Sequence, residues 1–96
     1  MAAYMIVEII EVSDPEGFGE YRAKVGPMLA KHGAKLIAMG EQIDVLAGDW
    51  QPGRVLIFEF DHYEGIREWH DSDEYREIIP LRDRSATLRI VGVSGI

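Results

Sequence analysis

The stretch RVLIFEFDHYEGIREWHDSDEYREIIPLR, residues 54–82, joins the clearest strand of the chain to its clearest helix start. Residues 54–60 alternate two sets of side chains, and both sets are mainly apolar. Such a run is typical of a strand that is covered on both faces. We therefore expect residues 54–60 to be a central strand of a sheet.

Two helix starts follow this strand. Asp61 and Glu64 stand three residues apart in a capping-box pattern, with the aspartate as the expected N-cap. Ser72 precedes two acidic residues and predicts a second N-cap, so we expect the helix to break near Asp71 and to restart. Pro80 should limit the second piece.

The residues before this stretch predict strand, helix and strand. Residues 4–12, YMIVEIIEV, form another strand that is apolar on both faces. A helix should begin at Asp14 and Pro15, with a kink or short break at Gly26–Pro27, and should end at Gly33. A second strand is expected over 34–39.

Two further extended pieces complete the pattern. After a bend at Gly40, residues 42–46 are expected to be extended, and residues 86–93 are the predicted last strand. Because the last strand should run beside the first, Arg89 is the predicted cross-strand partner of Glu8.

The resulting order, βαββαβ, predicts an α+β fold of the ferredoxin-like type, with helices on one face of a four-stranded antiparallel sheet. Residues 1–96 are expected to form this single domain. Both faces of the first and third strands are apolar, so the face without helices should not be left in water. We therefore expect a homodimer in which two sheets face one another.

Composition and charge exclude several classes of function. The chain has 47% hydrophobic residues, 28% charged residues and a net charge of −7. Such a charge disfavours nucleic acid and anionic membrane surfaces as partners. The chain contains no cysteine, which excludes disulfides and thiolate chemistry. The first residues lack a basic start and a long apolar run, so a cytoplasmic protein is expected.

Several short motifs together resemble one family. They are LAGDW at 46–50 with Pro52, EF at 59–60, WHDS at 69–72 followed by EY at 74–75, and LR at 81–82. In combination they resemble the domain of unknown function 1330 family over nearly the whole chain. The resemblance implies a dimeric α+β barrel, the group that also contains small cofactor-independent monooxygenases, muconolactone isomerase-like proteins and NIPSNAP-like domains. It implies no particular reaction. Asp73 stands where the family usually has proline.

Three residues are candidates for catalysis, and each has a structural alternative. Glu59 in its apolar strand is a candidate general base, or a carboxylate paired with an arginine. His70 is a second candidate base, or a surface histidine, because Asp71 beside it on a helix points about 100° away. Arg82 is a candidate clamp for a carboxylate or enolate, or the partner of Asp71 or Asp73 in a salt bridge.

An aromatic set suggests a ligand pocket. Tyr21, Trp69 and Tyr75 would line a site for a small apolar or aromatic molecule between helices and sheet; alternatively they are core residues. His62, His70 and Asp71 do not share a helical face, so no metal site is predicted. The glycines match no nucleotide-binding pattern, and no cofactor is expected.

These observations lead to two hypotheses of different classes. In the first, the chain is a homodimer that binds or converts a small apolar or aromatic molecule without a cofactor, in a monooxygenase-like or isomerase-like way. In the second, it is a non-enzymatic module whose apolar sheet face serves dimerisation or ligand binding.

Overall fold

The computed structural model describes residues 1–40 and 42–96. Its elements are β1 (Ala3–Val12), α1 (Pro15–Lys31), β2 (Lys35–Met39), β3 (Arg54–Phe60), α2 (Tyr63–His70), α3 (Asp73–Ser85) and β4 (Ala86–Ser94). The strands form one antiparallel sheet in the order β2-β3-β1-β4. The predicted ferredoxin-like α+β fold is confirmed, with the second helical segment divided into α2 and α3.

The start and the end of α1 follow the expected signals. Asp14 is the N-cap, and its Oδ1 accepts a hydrogen bond of 3.1 Å from the backbone N–H of Gly17. Gly33 follows the helix at a φ of 81°, which is the left-handed conformation that favours glycine. Among the described helices, none combines the length and the hydropathy needed to cross a bilayer.

Neither proline inside a helix ends it, so the short break that was one alternative at Gly26–Pro27 is absent and Pro80 does not limit α3. α1 continues without interruption through Pro27, and α3 continues past Pro80 to Ser85. Each proline removes one helical hydrogen bond, but both prolines face solvent while the opposite side of the helix is buried. Packing of that buried side stabilises the helix across the missing bond.

The junction between α2 and α3 is set by capping. Ser72 is the N-cap of α3, as predicted, and its Oγ accepts a hydrogen bond of 3.2 Å from the Tyr75 N–H. The predicted cap of α2 was wrong by one residue: His62, rather than Asp61, holds the position. The His62 Nδ1 accepts a hydrogen bond of 3.1 Å from the Gly65 N–H, so an imidazole nitrogen fulfils the role expected of the carboxylate.

Residues 42–46, the predicted extended piece, do not join the sheet. The register shift on β2 lies between Leu36 and Ala38, ahead of the bend that was expected at Gly40. Instead of pairing as a strand, the loop 42–53 reaches Glu8 on β1. This contact replaces the backbone pairing that an additional strand would have made.

Glu8 is the anchor of that loop. Its side chain is buried, and its Oε2 accepts hydrogen bonds from the Gly53 N–H at 2.9 Å and the Trp50 Nε1 at 3.3 Å. The predicted partner Arg89 lies directly opposite in the sheet, with its Nη1 3.8 Å from Glu8 Oε1. A Cβ at position 53 would collide with the Ile9 carbonyl oxygen, so only glycine allows this close approach.

The two faces of the sheet differ in what covers them. Met5 and Phe60 belong to the core beneath the helices, and the partly buried Phe58 packs against that core. On the other side, which we call the open face, the register places Ala38, Ile57, Ile6 and Val91 in one apolar row across all four strands. Val91 is 53% exposed in the single chain. An apolar row of this length in contact with water indicates an interaction surface.

The first prediction concerns the Glu8 anchor. Replacing Glu8 with alanine leaves the part-buried Gly53 N–H without its acceptor, and should lower the free energy of unfolding by about 1–3 kcal/mol. Glu8→Gln keeps one acceptor oxygen and should cost less. Chemical denaturation measures both changes.

The matched control is Glu68→Ala, because Glu68 is an exposed carboxylate on α2. It should change stability by no more than about 0.5 kcal/mol. Equal stability of Glu8→Ala and Glu68→Ala would show that the loop does not depend on Glu8.

Candidate functional site

A cavity of about 390 Å³ opens between α2, the end of α3 and β4. We call it the helix-side cavity. Its apolar wall consists of Ile66, Trp69, Leu88 and Ile90, and its polar wall consists of Arg67, His70, Arg82 and Asp83. A concave site that combines apolar side chains with several polar groups is a candidate small-molecule site.

Arg82, Tyr75 and Tyr21 form a hydrogen-bonded chain beside this cavity. Arg82 Nη1 donates to the Tyr75 hydroxyl at 3.1 Å, and the Tyr75 and Tyr21 hydroxyls are 2.8 Å apart. Tyr75 and Arg82 lie seven residues apart on α3, two turns along the same side of the helix, and Tyr21 reaches them from α1. These hydrogen bonds thus connect α1 to α3 beside the cavity.

Among the described residues, one hydroxyl hydrogen of the Tyr21–Tyr75 pair has no acceptor. Two phenols carry two hydroxyl hydrogens, and the bond between Tyr21 and Tyr75 uses one of them. Since Arg82 only donates, it cannot accept the other. Within residues 1–40 and 42–96, no further acceptor contacts either hydroxyl. One buried phenolic donor therefore lacks a partner.

Trp69 supplies a second unused donor. Its side chain is 1% exposed, and its ring centroid lies 4.2 Å from that of Tyr75. The indole Nε1 is buried and has no hydrogen-bond partner among the described residues. An unsatisfied buried donor costs about 1–3 kcal/mol, and a water or ligand oxygen that reached either group would relieve that cost.

The ionisation states of this cluster follow from burial and contact. Burial raises the pKa of the Tyr21 hydroxyl far above its usual range, and the adjacent Tyr75 raises it further. Burial alone would lower the pKa of Arg82, but the electrostatic contact and hydrogen bond with Tyr75, followed by Asp83, outweigh it and raise that pKa. Tyr21 is therefore a neutral donor and Arg82 a permanent cation.

The carboxylate beside Arg82 is Asp83, and not Asp71 or Asp73 as the salt-bridge alternative expected. Arg82 Nε donates to Asp83 Oδ1 at 2.9 Å, and Nη2 lies at the same distance from that oxygen. Asp83 is largely exposed, so it neutralises only part of the guanidinium charge at the cavity wall.

His70 lies at the cavity mouth and has a carboxylate neighbour. Its Nδ1 is 3.5 Å from Asp71 Oδ1, although adjacent helical residues were expected to point apart. The difference arises because Asp71 is the C-cap of α2, where the helical geometry ends. The His70 side chain is 41% exposed, so a ligand can reach it.

Glu59 lies away from this cluster. Its neighbours in register are Tyr4 and Lys35, which places it on the open face. The sheet therefore separates Glu59 from the helix-side cavity. The structure brings the other predicted site residues together, namely Tyr21, Trp69, His70, Tyr75 and Arg82. The role of Glu59 as a general base stays a prediction.

Sequence reasoning did not identify the cavity walls formed by Ile66, Leu88 and Ile90. Leu88 and Ile90 share one face of the predicted last strand, and that alternation was the available signal. Also missed was a second cavity of about 80 Å³, which shares Trp69, Leu88 and Ile90 with the first and is lined by Tyr21. We call it the small apolar cavity.

Metal ligands do not converge in the part of the chain that the structure describes. Among residues 1–40 and 42–96, no three histidine, cysteine, aspartate or glutamate side chains are placed to hold an ion. The polar groups that line the cavity are the imidazole of His70, the guanidinium groups of Arg67 and Arg82, and the carboxylate of Asp83.

Solved structures share this fold at low identity. A protein of unknown function from Rhodopseudomonas palustris is 20% identical, with a TM-score of 0.74, over 99% of this chain and 82% of that one. A dimeric protein of unknown function with a ferredoxin-like fold, from Bacteroides fragilis, is 13% identical, with a TM-score of 0.62, over 98% and 96% of the two chains. SnoaB from Streptomyces nogalater, a cofactor-independent oxygenase, is 9% identical, with a TM-score of 0.60, over 99% and 91%.

Comparison with curated proteins finds no significant match. The sequence profile of the family described as domain of unknown function DUF1330 matches residues 2–96. The chain therefore belongs to the DUF1330 family.

Proposed function

We propose that this protein is a cytoplasmic homodimer that binds a small aromatic molecule in the helix-side cavity of each subunit and converts it without a cofactor. The observation that carries the proposal is a cavity of about 390 Å³ lined by Trp69, whose buried Nε1 has no hydrogen-bond partner among the described residues. The ligand is an apolar body with at least one oxygen that accepts hydrogen bonds.

The size and chemistry of the cavity support this class of ligand. Small-molecule sites commonly occupy about 300–1,000 Å³ and combine apolar walls with a few polar groups that orient the ligand. Ile66, Leu88 and Ile90 offer the apolar contact, and the Trp69 ring offers a surface for aromatic packing. A ligand oxygen would satisfy the indole donor, which a purely hydrocarbon ligand would leave unpaired.

The proposed chemistry is proton transfer at an activated position of this ligand. His70, the exposed imidazole at the mouth, accepts the proton, and Arg82 stabilises the resulting phenolate or enolate. An isomerase returns the same proton to another carbon, so the step is balanced without a second reactant.

A monooxygenase would continue from the same anion. The electron-rich anion reduces dioxygen, one oxygen atom enters the product as a new carbonyl, and the other leaves as water with the two hydrogens of the former methylene group. The shared fold with SnoaB favours this version by analogy, since at 9% identity the likeness concerns the fold alone.

The open face supports the homodimer. Ile6, Ile57 and Val91 form an apolar row that the helices do not cover, and a second copy would bury the same row from its own sheet. In that arrangement Glu59 would lie near the partner, so any base role for it belongs to the open face.

The rival function is a module that only dimerises or binds, without chemistry. The exposed apolar row favours it, because dimerisation alone would explain that row. The rival leaves the unpartnered donor of Trp69 and the cationic wall of the cavity without a purpose.

The second prediction tests the oxygen-bearing ligand with 2-naphthol and naphthalene as probes. A hydrogen bond to an otherwise unsatisfied donor should make 2-naphthol bind about tenfold more tightly than naphthalene, measured by displacement of a fluorescent probe or by calorimetry. Trp69→Phe removes the indole donor and should abolish most of that preference.

Two control variants separate the possible sites. Trp50→Phe alters the other tryptophan, which contacts Glu8 on the open face, and should leave the preference unchanged. Glu59→Gln should also have no effect if the helix-side cavity is the site. Equal affinity for the two probes in the wild-type protein would contradict the proposal.

The third prediction concerns the homodimer. Light scattering after size exclusion should give twice the mass of the chain, and Val91→Glu should shift the protein towards monomer because it places a charge in the apolar row. Ala23→Glu, at an exposed position of α1, is the control and should remain dimeric. A wild-type protein that is monomeric at micromolar concentration would rule out the dimer.

A further inference from the structure

A third cavity, of about 410 Å³, lies between the start of α1 and the adjoining ends of β1, β2 and β3. We call it the arginine cavity, after Arg22 and Arg54 in its wall. It shares no lining residue with the helix-side cavity. Any function of this cavity is therefore separate from the function proposed above.

Among the described residues, two guanidinium groups line the arginine cavity against one carboxylate, the exposed Glu11. Arg22 is placed over the ring of Phe18, with its Cζ 5.7 Å from the ring centroid. Arg54 Nη2 donates to the Sδ of Met39 at 3.2 Å. An aromatic face and a thioether are weak partners for cations that have five N–H donors each.

Neither arginine has a carboxylate oxygen within 4.0 Å in residues 1–40 and 42–96. The chain has 17 acidic and 10 basic residues. Two such guanidiniums in one cavity wall create a local site for an anion within a protein whose overall field repels anions. A planar carboxylate is the anion that guanidinium geometry binds best.

The floor of the arginine cavity is apolar and continues inward. Ile9, Phe18 and Leu56 line both the arginine cavity and the small apolar cavity. The wall of the small apolar cavity is almost free of polar surface, so its occupant must be hydrocarbon. A ligand that uses both regions has an anionic end and an apolar end.

We propose that the arginine cavity binds the carboxylate of a small apolar acid, with Arg22 and Arg54 holding the carboxylate and the apolar part packed against Ile9, Phe18 and Leu56. This ligand class differs from the neutral aromatic molecule assigned to the helix-side cavity. The carboxylate enters as an anion, and no covalent step is involved.

The fourth prediction uses octanoate and octan-1-ol as matched probes, titrated into the full-length protein by calorimetry at low salt. Octanoate should bind about tenfold more tightly than the alcohol, because charge-assisted hydrogen bonds add to the same apolar contact. Arg22→Gln and Arg54→Gln should each reduce octanoate affinity several-fold while leaving octan-1-ol affinity unchanged. Arg84→Gln removes an equal charge from the exposed side of α3 and should change neither affinity.

One further variant should change octanoate affinity in the opposite direction. Glu11→Gln removes the one carboxylate of the cavity wall and should raise octanoate affinity several-fold. An increase cannot result from damage to the fold, so this variant keeps the test meaningful if an arginine variant is unstable.

Three outcomes would overturn the inference. Equal affinity for octanoate and octan-1-ol would remove the anionic subsite. Loss of octanoate binding in Arg82→Gln, with Arg22→Gln and Arg54→Gln unaffected, would assign the acid to the helix-side cavity and leave the proposed function intact. Absence of octanoate binding, together with normal binding of 2-naphthol, would reject the arginine cavity alone.

Discussion

The structure depends on one constraint: its central strand β1 is apolar on both sides, while the helices cover only one of them. Met5 and its neighbours beneath the helices complete a core within the single chain. Ile6, between Ile57 and Val91 in register, has no such cover. Because a small domain buries a limited share of its surface, the second face is the natural place for a further contact. The proposed dimer would cover this second face.

Some buried polar groups have hydrogen-bond partners within the described residues, and others have none. Glu8 receives two hydrogen bonds from the loop 42–53 and faces Arg89, so its carboxylate has a full structural role. Trp69 is equally buried, yet its Nε1 has no partner among the described residues. A fold tolerates the cost of an unpaired donor where a ligand or water supplies the acceptor. We therefore infer a structural role for Glu8 and propose that a ligand binds beside Trp69.

Local signals predicted most of the elements, and the register also placed Arg89 opposite Glu8 as predicted, but contacts between helices were not predicted. The alternation in residues 54–60 and the cap at Ser72 depend on a few adjacent residues, and both agree with the structure. The cap of α2 moved to His62 because an imidazole can accept the same bond, which residue preferences alone do not decide. Pro80 did not end α3, since burial of the opposite side outweighed the lost hydrogen bond.

The candidate site likewise depends on contacts between segments that are distant in sequence. Tyr21, Tyr75 and Arg82 were selected singly from the sequence, but their hydrogen-bonded chain joins α1 to α3 across 54 residues of sequence. No periodicity in one helix reveals which hydroxyl of another helix it will meet. Glu59 was selected for its apolar strand, and only the pairing of β3 with β1 and β2 shows which face it occupies. Sheet register therefore supplies the information that strand composition lacks.

The most direct test of this account is a crystal structure of the protein purified straight from the producing cell, without any step that strips small molecules. The account predicts two chains stacked through their open faces and non-protein density in the helix-side cavity, with an oxygen within hydrogen-bond distance of Trp69 Nε1. A cavity closed by repacked side chains, with Trp69 Nε1 bonded to an oxygen of its own chain, would contradict it.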